Sequence, residues 1–300
     1  MVLLTVVARL RASIIPYALC LSCFFFGNIN FSYAWNALGH RLIAQIAFDN
    51  MTPASRQFCE NLNHALDKKY GRQHWVYAAS WLDNLREGKN VWLKQKHFIN
   101  QPICNRSDPR PCLTFLPNQD NVVTSLQTTR QYLEQAPIDP QQKNSFNRAF
   151  YFRVLIHLVG DLHQPMHAAT LVGRDYPTGD QGGNLFPLGH NSIGSNLHTY
   201  WDNGGGMLLS HGPTSLIKLK KKAYRIEKRW PCDTAKMDLD PNHWAQESFS
   251  IAEKYAYQAS PRKRPSKAYQ AMVKNITTQR LAIAGCRLAA LLNQLEQQHH

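Results

Sequence analysis

Acidic residues are scarce in this 300-residue chain: 20 Asp and Glu stand against 34 Lys and Arg, a formal charge of +14. That excess suits a polyanionic partner, nucleic acid or an anionic membrane surface, and charge alone does not choose between them. There is no Gly/Ser-rich linker, no charge-block boundary and no internal repeat, so nothing divides the chain into several domains. Sustained period-two alternation is also missing, which excludes a protein built mainly of sheet.

Long apolar runs are absent except at the start. Residues 1–34 carry two charges, Arg9 and Arg11, then an apolar stretch from Ile14 to Phe26, then Ser32-Tyr33-Ala34. A basic start, an apolar middle and small residues at −3 and −1 read as a secretory signal peptide cleaved after Ala34. Pro16 interrupts the run, so a retained anchor is the alternative. Cys20 and Cys23 lack the aliphatic-small-small sequence that lipid attachment needs. The expected product is one exported domain, residues 35–300, whose charge is +14 − 2 = +12.

Beyond residue 34 no Cys-x-x-Cys pair occurs, which argues against a structural thiolate zinc site. The five cysteines there, Cys59, Cys104, Cys112, Cys232 and Cys286, are disulfide candidates in an exported protein. Cys104 and Cys112 bracket a plausible local bridge, and the odd count leaves one unpaired or some reduced. Asn105-Arg-Ser and Asn275-Ile-Thr are glycosylation sequons, meaningful only in a eukaryotic secretory pathway.

What is present reads as mainly helical. Apolar residues recur at helical spacing over Leu38–Phe48, Phe58–Leu66, Val122–Leu133, Phe146–Val159 and Ile276–Leu295. Thr52-Pro53 supplies a cap and a first-position proline for the second helix. Loops are expected at 101–118, 173–194, 203–206 and 231–241. The first two are long for a compact domain, and such loops are often functional or disulfide-tied. Basic residues at Lys218, Lys220, Lys221, Lys222, Arg225, Lys228 and Arg229 read as the solvated face of a helix that can attract nucleic-acid backbone.

The segment "RVLIHLVGDLHQPMHAAT" carries most of the chemistry. His157 and Asp161, four apart on an apolar helix, project from one face about 40° apart, as two metal ligands would. A core histidine bonded to an aspartate one turn away has the same spacing. Pro165 is expected to end that helix and leave His167 in the following turn, whereas His163, about 240° around from His157, faces away. A second spaced pair, His198 and Asp202 in "NLHTYWDN", raises the donor count above what one tetrahedral zinc needs and points to a multinuclear site. Asp83 in "AASWLDNLR" and His97 in "KHFIN" are weak singly, since an isolated Asp is usually a cap and an isolated His structural.

Trp35, His40, Asp83, His97, His157, Asp161, His167, His198 and Asp202, in that order, resemble the ligand set of the zinc-dependent S-one/P-one nuclease family. Its most specific part is "HLVGDLHQPMH", then "GGN" and "NLHTYWD", and the resemblance spans Trp35 to about Asn203. It implies a mainly α, multi-helix phospholipase C/P-one nuclease-like fold with long loops. It also implies three Zn2+ per chain. One would be held by Asp83, His97, His157 and Asp161, and a second by His167, His198 and Asp202. The third would take the Trp35 amine and carbonyl, His40 and a bridging oxygen of Asp161.

By the same resemblance Arg86 would steady the transition state, although a plain surface cation fits its spacing equally. Phe98 would stack on a base, with a core phenylalanine as the alternative. Asn100 stands where several family members carry Asp; because Asn both donates and accepts, base preference is expected to differ or relax. The implied activity is hydrolysis of RNA and single-stranded DNA to 5′-phosphates, with 3′-nucleotides as further substrates. The implied enzyme is a monomer without stable membrane association, secreted or periplasmic. A zinc-dependent phospholipase C is the alternative within the fold, and a non-catalytic basic export that binds nucleic acid or membrane is the alternative outside it.

Overall fold

The computed structural model describes residues 35–67, 74–85, 88–104, 110–116, 118–135, 145–210, 212 and 214–299. The candidate signal peptide, Arg86 and the Asn105 sequon lie outside the described residues.

Helix α1 (Ala37–Asn50) starts where Asn36 caps it, its side chain accepting from the Leu38 and Gly39 amides. Helix α2 (Pro53–His64) has the Thr52 cap and Pro53 at its first position. There follow α3 (Trp75–Ala78), a short strand β1 (Gln101–Cys104), α4 (Arg110–Leu113), α5 (Val122–Gln135) and α6 (Ser145–Leu162). Next come α7 (Pro165–Ala168), β2 (Ala169–Val172) and α8 (Leu197–Asp202). Helices α9 (Leu216–Arg229), α10 (Pro241–Lys254) and α11 (Lys267–Gln297) complete the chain.

Helix α6 lies at the centre. From Phe152 to Leu162 every residue is buried, which its almost continuous apolar sequence requires. Around it pack α1, α2, α5 and α11, with Trp75, Phe152, Leu155, Leu158, Leu288 and Leu292 in the main core. A smaller cluster of Met166, Phe186, Leu197, Trp201 and Val273 sits under the loop after β2.

The expected loop 101–118 contains β1, paired in parallel with β2, and α4. Four-residue strands are too short to show a period, and their partners lie far apart in sequence. Cys104 pairs with Cys112, Cys232 with Cys286, and Cys59 is a buried free thiol. The expectation that Pro165 ends the helix and leaves His167 in a turn is corrected. Helix α6 stops at Leu162, and Pro165 instead opens α7, with Gln164 as its cap accepting from the Met166 amide at 2.6 Å.

The break between α6 and α7 is clamped from behind. His163 gives Nδ1 to the Val159 carbonyl and accepts Arg287 Nη1 at Nε2, 2.9 Å away, so it does face away from the other histidines. Burial, then the nearby Arg280 and Arg287 charges, hold its pKa well below the ordinary value, and it stays neutral. Arg280 donates to the His163 carbonyl and to Ser248, and Glu247 receives both arginines. Burial works against the Glu247 carboxylate, but the two arginines outweigh it and depress its pKa to about 2.

A depressed carboxylate contributes stability above its unfolded pKa and loses it as pH falls through the folded one. Glu247→Gln is therefore expected to destabilise the protein near neutrality by about 2 kcal/mol, a figure discounted for the 39 % exposure of the side chain. Thermal unfolding against pH checks this: the wild-type advantage should shrink between pH 4.5 and about 2.

Candidate metal centre

Six elements deliver the predicted side chains. Trp35 precedes the α1 cap and His40 lies one turn into α1; Asp83 is in the 3-10 segment Leu82–Leu85. His97 ends the 3-10 segment Gly88–His97, His157 and Asp161 are on α6, His167 on α7, and His198 and Asp202 on α8. All are buried.

They come together as three groups whose ligand atoms lie within 4.8 Å of one another: His40, His157 and Asp161; Asp83, His97 and His157; His167, His198 and Asp202. Asp161 joins the first two. Its Oδ1 lies 3.3 Å from His40 Nε2, and its Oδ2 lies 2.7 Å from His97 Nδ1 and 3.3 Å from His157 Nε2. His157 also faces Asp83 at 3.5 Å and stacks on His40, ring centroids 4.0 Å apart. That stacking needs Gly160: a Cβ there would meet His40 Nδ1 at 2.7 Å.

Backbone carbonyls orient the rings. His157 Nδ1 contacts Ala79 O, His167 Nδ1 contacts His97 O and His198 Nδ1 contacts Gly182 O, each at 2.7 Å. A carbonyl only accepts, so each Nδ1 carries the proton and each Nε2 turns a lone pair inward. His157 Nε2, His167 Nε2 and Asp161 Oδ1 are buried with no hydrogen-bond partner, as are both nitrogens of His40. Lone pairs and carboxylates facing one another inside a protein are unfavourable unless a cation lies between them. The donor set, neutral imidazole and carboxylate without thiolate, fits zinc.

The titration pattern follows from the same packing. Burial works against the charged forms throughout. For Asp161 the His157 and His97 charges outweigh it and hold the carboxyl well below the ordinary range. For His157 the Asp161 and Asp83 carboxylates outweigh it and raise the pKa. For His40 and His167 burial wins and lowers it.

Phe98 is half-buried beside the third group, its ring centroid 4.4 Å from His167 and 5.9 Å from His198, outside the core clusters. Asn100 adopts a positive φ of 52°, and its Oδ1 is buried without a partner. Arg86 is not among the described residues.

Several positioning groups carry no ligand signature in sequence. Gln164 donates to Asp202 Oδ1 at 2.6 Å, leaving Oδ2 towards His198 Nε2 at 3.5 Å. Asp180 accepts from the Leu171 and Gly183 amides, Thr170 and Tyr257, and so pins the loop that presents Gly182 O to His198. Gly182 has φ +63°, and a Cβ there would collide with the Met166 carbonyl, so a side chain is excluded. For Gly182 the sequence signal is the "GGN" of the resemblance, Gly182 to Asn184, inside the expected loop 173–194.

Residues 35–297 match the family model described as S1/P1 Nuclease. The chain belongs to the S1/P1 nuclease family. That match runs about ninety residues beyond Asn203, where the recognised motifs end, because α10 and α11 contribute packing rather than ligands. Among relatives of this S1/P1 chain, Endonuclease 4 of Arabidopsis thaliana is 27 % identical over 285 residues, 89 % of this chain and 91 % of the relative. Endonuclease 5 of the same plant is 30 % identical over 232 residues, 72 % and 76 %. Nuclease S1 of Aspergillus oryzae is 24 % identical over 191 residues, 61 % and 60 %.

Proposed function

We propose that this chain is an exported zinc-dependent endonuclease that hydrolyses RNA and single-stranded DNA to 5′-phosphates and also acts on 3′-nucleotides. The observation that carries the reading is the set of buried, unpartnered ring nitrogens, on His40 and His157 around Asp161 and on His167 beside His198 and Asp202. The nuclease names of its relatives support the substrate class over a phospholipid.

Three zinc ions are proposed, with the assignment given above for Asp83, His97, His157 and Asp161, for His167, His198 and Asp202, and for the Trp35 amine and carbonyl with His40 and Asp161. Zinc at such a centre supplies Lewis acidity, lowering the pKa of water and offsetting charge on phosphoryl oxygens. The chain's own groups do the positioning. Phe98 offers a ring face to a base, an interaction open to every base. Asn100 would read that base's edge as donor or acceptor, and Arg86 would offset charge developing on the phosphoryl group. Release of residues 1–34 would make the Trp35 amine available.

The test is to purify the mature chain, measure zinc per chain, and assay single-stranded DNA, RNA and phosphatidylcholine in parallel. Hydrolysis of the lipid alone, or no stoichiometric zinc, would overturn the reading. Gln164→Leu is expected to lower zinc affinity at the His167, His198 and Asp202 group by about 10–100-fold, the usual cost of losing a partner that orients a ligand. Chelator competition measures it, and the circular-dichroism spectrum should be unchanged.

A further inference from the structure

Helix α9 carries charge that the metal centre does not use. Its inner stripe, Leu219, Ala223 and Ile226, is buried, and the helix packs on α1 and α11. Lys218, Lys220, Lys221, Arg225 and Lys228 are exposed, and no ion pair involves any of them among the described residues. The one acid of the helix, Glu227, is bonded to Asn50 Nδ2 at 2.7 Å, and Arg229 is bonded to Asn275. Among these cations stand Ile217, 82 % exposed, and Tyr224, 63 % exposed.

The helix also has a direction. Residues leading into it are tied to the beginning of α1 directly, through Asn36 Nδ2 to Leu208 O, and by way of α3, where Tyr77 Oη donates to Thr214 O and Arg41 of α1 lies over the Tyr77 ring, while Glu227 meets the end of α1 at Asn50. Helix α9 therefore runs beside α1, beginning at the end that carries Trp35 and His40. Ile217, Lys221, Tyr224 and Lys228 follow i, i+4, i+7, i+11 spacing, a stripe about 16 Å long.

We propose that the outer face of α9 is a second, non-catalytic contact for a single-stranded nucleic-acid substrate, holding its phosphates on the five cations and one base on Tyr224. Asp49 and Glu227 line a cavity with Lys220, Tyr224 and Lys228 and offset part of this charge; the remaining excess of cations, none in an ion pair among the described residues, is relieved by a polyanion. An exposed aromatic among them suits a strand whose bases are open, and a paired duplex offers no such face. A membrane surface fits less well, because an interfacial helix must insert its apolar face, and on α9 that face is buried in the protein. The identity of the ligand rests on the nuclease reading. Its consequence is length dependence: a strand reaching both α9 and the metal centre is held at two points, a dinucleotide at one.

The experiment uses the full mature chain and two variants, the combined Lys220→Gln/Lys221→Gln/Arg225→Gln and the single Tyr224→Ala. Binding of a labelled oligothymidylate of about twenty nucleotides is followed by fluorescence anisotropy in EDTA over a salt series, beside zinc-loaded cleavage of that strand and of a dinucleotide. The combined variant should bind the strand at least about 10-fold more weakly, with a salt slope shallower by about 2 for three lost phosphate contacts. Tyr224→Ala should weaken binding by about 5–100-fold with the slope unchanged. Dinucleotide cleavage should be the same in all three proteins. Unchanged strand binding, an equal loss on the dinucleotide, or preference for anionic vesicles over the strand overturns the proposal. If the wild type cleaves strands while the variants behave like it, this proposal fails alone. If nothing is cleaved but strand binding depends on α9, the nuclease reading fails and the contact stands.

Discussion

Asp161→Asn is expected to remove more activity than the loss of any single histidine, at least about 10³-fold on single-stranded DNA, with zinc falling from the proposed three per chain towards one. The reason is position. One carboxylate oxygen faces His40 and the other faces His97 and His157, so the residue joins two of the three ligand groups. It is fully buried yet held ionised, because the charges of His157 and His97 outweigh the cost of burial. Asn keeps the shape but loses the charge, and turns an N–H group towards atoms that need an electron pair. The His167, His198 and Asp202 group is untouched in that variant, whereas the Asp83, His97 and His157 group keeps its residues but loses the carboxylate beside His97 and His157.

The same substitution should cost stability with and without zinc, and cost more with it. In EDTA the variant loses the carboxylate that pairs with the His157 and His97 charges, so its melting temperature is expected to fall below that of the wild type. In excess zinc the wild type also gains binding free energy that the variant lacks, and the gap widens. Metal analysis, a strand assay and paired thermal melts check this; full zinc content with full activity would sink the bridging role.

The helices were legible in sequence because most present one apolar face, and α6 because it is apolar almost throughout. The candidate ligand residues, which the structure gathers into three groups, stood out because their types and order are unusual. The centre is nevertheless assembled by groups that leave no such trace. Carbonyls of Ala79, His97 and Gly182 set three histidine tautomers, and a backbone carbonyl has no residue type. Gln164 looks like any polar residue beside a proline until its amide is seen on Asp202. Cys104–Cys112 announced itself by a short, loop-like spacing, whereas Cys232–Cys286, 54 residues apart, joins a loop to α11 only through tertiary packing. The C-terminal helices offered no ligands and so read as generic. In the structure α10 and α11 hold the α6–α7 break in place through Ser248, Arg280 and Arg287.

A chain that keeps even one residue before Trp35 is expected to bind only two of the three zinc ions proposed and to lose on the order of 100-fold in strand cleavage. Trp35 is fully buried, and Asn36 behind it is fixed three ways. Its amide donates to the Asp202 carbonyl, its side chain caps α1, and its amide nitrogen Nδ2 bonds Asn203 and Leu208. The main chain of Trp35 is thereby anchored one turn from His40. A free α-amine has a pKa near 7.7–8 and, once deprotonated, an electron pair for a metal; an amide nitrogen has none to give. On the proposed assignment the extension therefore changes one donor atom and substitutes no side chain. Zinc analysis and cleavage assays on two proteins with amino termini verified by mass spectrometry decide it, and oligothymidylate binding in EDTA should be the same for both. Full activity from the extended chain would remove Trp35 from the ligand set. The predicted loss would make removal of the leader the step that completes the enzyme.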